Sequence, residues 1–147
     1  MNKLHRQRLL KLANHLLKGK LGHDVFNFTC YNANIDSSPL AKRRECGSCG
    51  CAIGEMPIVW PKFWGFDYHV VVNKKIKVFR WEHQKEWFGI TYTDYDFLFC
   101  PVSHYFGVFV QTSVGTRRRL TRSATKEQVA KNIIKFVKDY EKKEKCK

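Results

Sequence analysis

The sequence predicts a single α+β domain, with amphipathic helices at both termini packed on a small antiparallel sheet. Three observations support this fold class. Residues 2–20 and 125–140 place apolar side chains at helical spacing, and residues 66–80 place two β-branched runs around a short polar turn. A hydrophobic content of 44% over 147 residues is enough for one core. We therefore expect one domain over residues 1–147, with a frayed tail over residues 141–147.

The first helix is predicted over residues 2–20. Its apolar side chains recur at the i, i+3, i+4, i+7 and i+8 positions, as Leu9, Leu12, Ala13, Leu16 and Leu17. Its opposite side is polar and carries Arg8, Lys11, His15 and Lys18. Gly19 and Gly22 provide stop signals. A basic amphipathic helix can lie on a membrane, but this pattern is more typical of a surface helix packed on its own core.

Extended and irregular segments follow the first helix. Residues 24–32 alternate weakly between apolar and polar side chains, which is compatible with a strand, and residues 32–45 have the composition of a loop. Residues 66–80 predict a hairpin, because Asn73 tolerates the left-handed conformation that such a turn needs. Residues 81–90 then have helical character, and Gly89 is expected to end that helix.

Capping residues mark the last two helices. Thr91 and Asp94 form an N-cap arrangement close to a capping box, and Thr125 with Gln128 forms a capping box for the final helix. The final helix lines one face with Val129, Ile133, Phe136, Val137 and Tyr140. Between the two helices, residues 105–112 are the remaining strand candidate.

Three cysteines lie within six positions, at Cys46, Cys49 and Cys51. The first two match the start of the papain-type nucleophile segment, but Gly50 replaces its aromatic residue and the chain is too short for the downstream His and Asn. They also have the spacing of half a zinc site, although no second pair occurs. We favour a structural interpretation, in which a turn at residues 47–48 feeds a short helix ended by Pro57, and the thiols are packing material.

A nine-residue pattern gives a resemblance. Residues 46–54 follow C-G-[ST]-x-x-C-A-x-G, and residues 8–13 supply an N-terminal "RLLKLA" helix. Further matches are Trp87-Phe88-Gly89-Ile90-Thr91, Phe97-Leu98-Phe99 and Thr125-Lys126-Glu127-Gln128-Val129. The chain thereby resembles a family of small uncharacterised proteins encoded by bacteriophages and prophages. The resemblance implies a phage or prophage origin, and it makes Cys49 an extra cysteine, which argues against a site built around it.

The net charge of +14 favours an anionic partner or a solubilising surface. Its sharpest feature is "GTRRRLTR" over residues 115–122, expected as a loop. Its four guanidinium groups can donate paired hydrogen bonds to phosphates, and they belong to Arg117, Arg118, Arg119 and Arg122. Basic residues of both terminal helices can extend this surface, although a lysine-rich helix with interleaved glutamates is more typical of a solvated face.

These observations predict a non-enzymatic phage accessory protein that binds nucleic acid, or a nucleic-acid-bearing host complex, through those four arginines. An exposed tryptophan or tyrosine on the strand candidates can stack single strands. The alternatives are an inhibitor of a host defence protein acting by protein–protein contact, a cysteine-dependent hydrolase and a small zinc-binding module. No signal peptide or transmembrane span is visible, and the cysteine content fits a reducing compartment. We expect a cytoplasmic protein with no cofactor and no membrane partner.

Overall fold

The computed structural model describes residues 1–19, 21–22, 25–28, 32–33, 49–60, 70–72, 75–77, 81–101 and 109–146. The elements within these ranges are α1 (Lys3–Lys18), β1 (Val25–Phe26), β2 (Asn32–Ala33), β3 (Cys49–Gly50), α2 (Met56–Val59), β4 (Val70–Val72), β5 (Lys75–Lys77), α3 (Trp81–Phe88), α4 (Tyr92–Phe99), β6 (Phe109–Thr112), β7 (Gly115–Arg118) and α5 (Lys126–Lys145). Helices and antiparallel strand pairs occupy separate parts of the chain, so the predicted α+β class is confirmed.

The described strands form three small sheets. In the first, β3 lies between β1, which it pairs in parallel, and β2, which it pairs antiparallel. The other two are antiparallel hairpins, β4 with β5 and β6 with β7. The first of these confirms the hairpin predicted within residues 66–80. The parallel pairing of β1 with β3 differs from the uniformly antiparallel sheet that the sequence suggested.

Helix α1 buries the predicted apolar side, including Leu9, Leu12, Ala13 and Leu16. Gly19 ends the helix with φ of 70°, in the left-handed region that favours glycine. Three side chains of the polar side contact other parts of the protein: the Lys11 ammonium nitrogen lies 5.6 Å from the centroid of the Trp60 ring, and the other two belong to Arg8 and His15. The guanidinium carbon of Arg8 lies 3.5 Å from the centroid of the Trp87 ring, and His15 Nε2 lies 2.7 Å from Glu55 Oε2.

Helices α1 and α5 pack against each other in antiparallel orientation. The amino group of Met1 lies 3.0 Å from Glu144 Oε1, and Arg6 Nη1 donates to Glu141 Oε1 at 2.8 Å. These contacts hold the last turns of α5, which remains helical to Lys145. Helix α5 thus extends through residues 141–145, which the sequence analysis expected to belong to a frayed tail.

The cysteine-rich segment folds differently from its prediction. Cys49 and Gly50 form β3 instead of entering a helix, and the turn over residues 51–55 leads into α2. Pro57 lies in the first turn of α2, where proline is tolerated because that amide has no helical partner, so it begins this helix instead of ending one. Cys51 is buried, at 5% exposure, as the packing interpretation expected. The turn predicted at residues 47–48 lies outside the described residues.

Both signals that the sequence predicted at the corner between α3 and α4, a glycine stop and an N-cap, are confirmed. Gly89 ends α3 with φ of 59°, and a Cβ atom there would collide with the ring of His5, so α1 packs directly on this corner. Thr91 and Asp94 form a complete capping box at the start of α4. Stacked rings of Phe88 and Phe99, with centroids 5.4 Å apart, then join the two helices in the core. Among the residues described, no helix combines the length and apolarity needed to cross a membrane.

Candidate functional site

The arginine run is not a loop, because its first part is strand β7. Side chains on a strand alternate between its two faces, so neighbouring arginines point in opposite directions. Arg117 Nη2 donates to Asp139 Oδ2 of α5 at 2.9 Å. Arg119, just after the strand, donates to the carbonyl oxygen of Cys100 from both Nε and Nη2, at 3.2 and 2.9 Å. Two of the four guanidinium groups are therefore engaged in stabilising the fold.

Arg118 and Arg122 are placed differently. Both side chains are exposed, and neither forms an ion pair with an acidic side chain in the parts of the chain that the structure describes. The four sequence-predicted arginines therefore do not form one surface. Only Arg118 and Arg122 combine a free charge with access to a partner in solution.

A larger basic surface lies on α5. Five lysines follow one another at intervals of four, three, four and three residues and are all exposed: Lys131, Lys135, Lys138, Lys142 and Lys145. With 100° of rotation and 1.5 Å of rise per residue, they fall within an arc of about 80° and extend over about 21 Å. We call these five residues the lysine stripe.

The acidic residues of α5 all have basic partners away from the stripe. Asp139 pairs with Arg117 of the hairpin, while Glu141 and Glu144 pair with groups on the first turns of the chain. Glu127, near the start of the helix, lies 3.6 Å from the ammonium group of its neighbour Lys126. The acids of α5 therefore form ion pairs with groups outside the stripe. No stripe lysine is paired with an acid among the residues described.

Sequence reasoning missed this surface because it counted the charges of α5 together. A helical projection was the signal that would have found it, since the five lysines share one side and the last three acids fall outside that side. What the sequence alone did not contain was the identity of the partners, Met1, Arg6 and Arg117, which come from distant parts of the chain.

The lysine stripe has the electrostatic properties that favour contact with a polyanion. Five ammonium groups spaced a single helical turn or less apart repel one another and hold counterions near the surface. An extended anion such as a phosphodiester chain displaces those counterions, and their release into bulk solution favours binding. Lysine acts here as a point charge, so the arrangement selects for charge density and not for one base sequence.

The hairpin of β6 and β7 presents a second exposed face. Phe109 and Gln111 on β6 are exposed, as are Thr116 and Arg118 on β7, while the residues between them are more buried. The inner face is held to the helices, because the amide of Ser113 in the turn donates to Asp94 Oδ1 at 2.7 Å.

The described thiols do not form a reactive centre. Cys51 is buried, and burial, with the nearby Asp96 carboxylate second, raises the pKa of Cys100 to about 12. A thiol with that pKa is protonated at neutral pH and is not a nucleophile. The ranges that the structure describes contain no cluster of His, Cys, Asp or Glu able to hold a metal ion. The side chains of Cys46 and Cys49 lie outside the described residues.

Alkylation of the folded protein is expected to distinguish the described cysteines by their reactivity. Treatment with iodoacetamide at pH 8 should modify Cys146, which is exposed, and leave Cys51 and Cys100 intact, because Cys51 is buried and Cys100, with a pKa raised to about 12, is protonated at pH 8. Peptide mapping by mass spectrometry measures this residue by residue, and the same reaction in denaturant provides the control. Rapid native modification of Cys100 would contradict the assignment of Cys51 and Cys100 to packing.

The comparisons with known proteins give no match: no family model, no curated protein and no solved structure is significantly similar to this chain.

Proposed function

We propose that the protein binds the phosphate backbone of nucleic acid through the lysine stripe, together with Arg118 and Arg122, and acts by binding and not by catalysis. The observation that carries this proposal is the separation of charge on α5. Asp139, Glu141 and Glu144 are paired with groups outside α5, and the five exposed lysines lie on the side between Asp139 and Glu141 without an acidic partner among the residues described.

The geometry supports a backbone contact over a contact with a small anion. A stripe of about 21 Å follows the surface of a straight helix, and it matches several consecutive phosphates, since duplex DNA carries one charge for about every 1.7 Å of its axis. A small anion would need a concave pocket with converging donors, whereas these lysines lie in a line on a convex surface. The binding is therefore expected to be independent of sequence and strongly dependent on salt.

The salt dependence of binding tests this proposal. Anisotropy of a fluorescein-labelled 30-base-pair duplex, titrated with protein between 20 and 200 mM NaCl, gives the slope of log K against log salt. Five lysine–phosphate contacts alone predict a slope of about −4 to −5, and the added contacts of Arg118 and Arg122 bring it to about −6. The double variant Lys135→Gln with Lys142→Gln should reduce that slope by about 2 and weaken binding about tenfold or more. Gln keeps the helix propensity of Lys, so the fold is retained.

A matched control is available on α1. Lys11→Gln with Lys18→Gln removes the same charge from two exposed lysines that line a cleft against α2, on the side of α1 away from α5. This variant should bind almost as the wild type does. An equal loss in both double variants would mean that only net charge matters, and a flat salt response of the wild type would rule out backbone binding.

A further inference from the structure

The most exposed large apolar side chain among the residues described is Phe109, at 66%. It stands at the start of β6, and its strand register places it directly opposite Arg118 of β7. Side chains of directly opposed residues have Cβ atoms about 4.5–5.5 Å apart. An aromatic ring and a guanidinium group therefore stand side by side on the exposed face of the hairpin.

In the described parts of the protein, neither of these two side chains contributes an ion pair or ring contact that stabilises the fold. Arg118 has no acidic partner there, and it does not lie over the ring of Phe109, unlike Arg8 over Trp87. The next cross-strand pair on this face is polar, since Thr116 Oγ1 lies 2.8 Å from Gln111 Oε1. Phe109 is thus an isolated aromatic surface with a cation on one side and amide and hydroxyl groups on the other.

The inner face of the hairpin is tied to the helices at two places, by the bond from Arg117 to Asp139 beside the Phe109–Arg118 pair and by contacts at the turn. The turn of the hairpin is closed by Thr112 Oγ1, which donates to the carbonyl oxygen of Gly115 at 2.6 Å. Two further contacts tie the turn to the helices: Asp94 accepts from the Ser113 amide, and Lys143 Nζ donates to the Ser113 carbonyl oxygen at 2.7 Å. A platform that is already ordered binds a flexible ligand without an added cost of ordering the protein.

We propose that this face binds an unpaired base of single-stranded nucleic acid, with the Phe109 ring stacked on the base and Arg118 on an adjoining phosphate. This inference rests on the proposed function and names its substrate class. Bases within a duplex are covered by their stacked neighbours. An exposed ring on a rigid sheet can therefore stack only on a base that is not paired within a duplex. The positive charge of Arg118 complements the phosphate that every such base carries.

The experiment compares three labelled probes at one salt concentration: a 20-nucleotide oligothymidylate, an abasic 20-mer with the same number of phosphates, and a 20-base-pair duplex. Phe109→Ala should weaken binding of oligothymidylate about 5- to 100-fold, which is the contribution of stacking on one aromatic side chain. Its affinity for the abasic strand and the duplex should stay within about twofold of the wild type. Phe109→Leu, which keeps apolar area without an aromatic face, should lose nearly as much as the alanine variant.

Leu4→Ala is the matched control, because Leu4 is also an exposed apolar residue, at 51%, and lies on α1. It should bind all three probes as the wild type does. Equal binding of oligothymidylate by wild type and Phe109→Ala, with salt-dependent duplex binding intact, would overturn this inference and leave the proposed function standing. If the wild type binds none of the probes at 20 mM salt, both fall.

Discussion

Replacing His15 with alanine is expected to lower the free energy of unfolding by about 3 kcal/mol. The carboxylate of Glu55 is fully buried, and its Oε2 atom lies 2.7 Å from both His15 Nε2 and the amide nitrogen of Gly22. The substitution removes one of these contacts from a carboxylate that water does not reach. Breaking a buried pair on one side costs about 3–5 kcal/mol, and the partial exposure of His15, at 16%, places this loss at the lower end.

Chemical denaturation measures this loss, and two variants make it specific. Asn14→Ala changes an exposed neighbour on the same helix and should be nearly neutral. Adding Glu55→Gln to His15→Ala removes the buried charge, so the double variant should lose less stability than the sum of the two single losses. Additive losses, or a His15 variant as stable as the Asn14 variant, would show that the pair does not hold α1 to the segment before α2.

Replacing Asp94 with alanine is expected to cost about 3 kcal/mol and to loosen the hairpin as well. The side chain is 1% exposed, and its two oxygens accept from different parts of the chain: Oδ2 from the Thr91 amide at 3.2 Å and Oδ1 from the Ser113 amide at 2.7 Å. The first bond caps α4, whereas the second fixes the turn between β6 and β7. Alanine leaves both amides without this acceptor.

The matched control for Asp94 is Gln128, which holds the same capping-box position at α5 but is exposed. Gln128→Ala should cost only about 0.5–1 kcal/mol, since it loses a cap without a tertiary bond. Hydrogen exchange adds a local measurement: amides of β6 should exchange faster in the Asp94 variant, relative to global unfolding, and not in the Gln128 variant. Equal losses in the two variants would assign Asp94 to capping alone.

The features that the sequence predicted correctly are determined by residues that lie close together in the chain. Capping boxes at Thr91 and Thr125 and the left-handed glycines that end α1 and α3 are all formed as expected. A cap needs only a side chain and amides within three or four positions, so local spacing is sufficient evidence for it. The apolar faces of α1 and α5 follow for the same reason, because helical periodicity is a local signal.

The features that were missed are decided by distant residues. Gly115–Arg118 contains no run of β-branched residues, yet it is a strand because β6 offers it a partner edge. His15 sits on the polar side of its helix, and only the position of Glu55, 40 residues further along the chain, makes it part of the interior. The sequence predicted the four arginines as one group, because the order of residues in the chain does not show which face of a strand each side chain occupies.

The one-sided distribution of charge on α5 also affects how the molecule travels toward a partner. The unpaired lysines along one side of α5 contribute to the electric dipole moment of the molecule, and the field of a distant polyanion acts on that dipole before any contact is made. Encounters then begin in a productive orientation, so the association rate constant rises as ionic strength falls. The ion pairs that tie the ends of the chain together would thus also govern how quickly the protein finds what it binds.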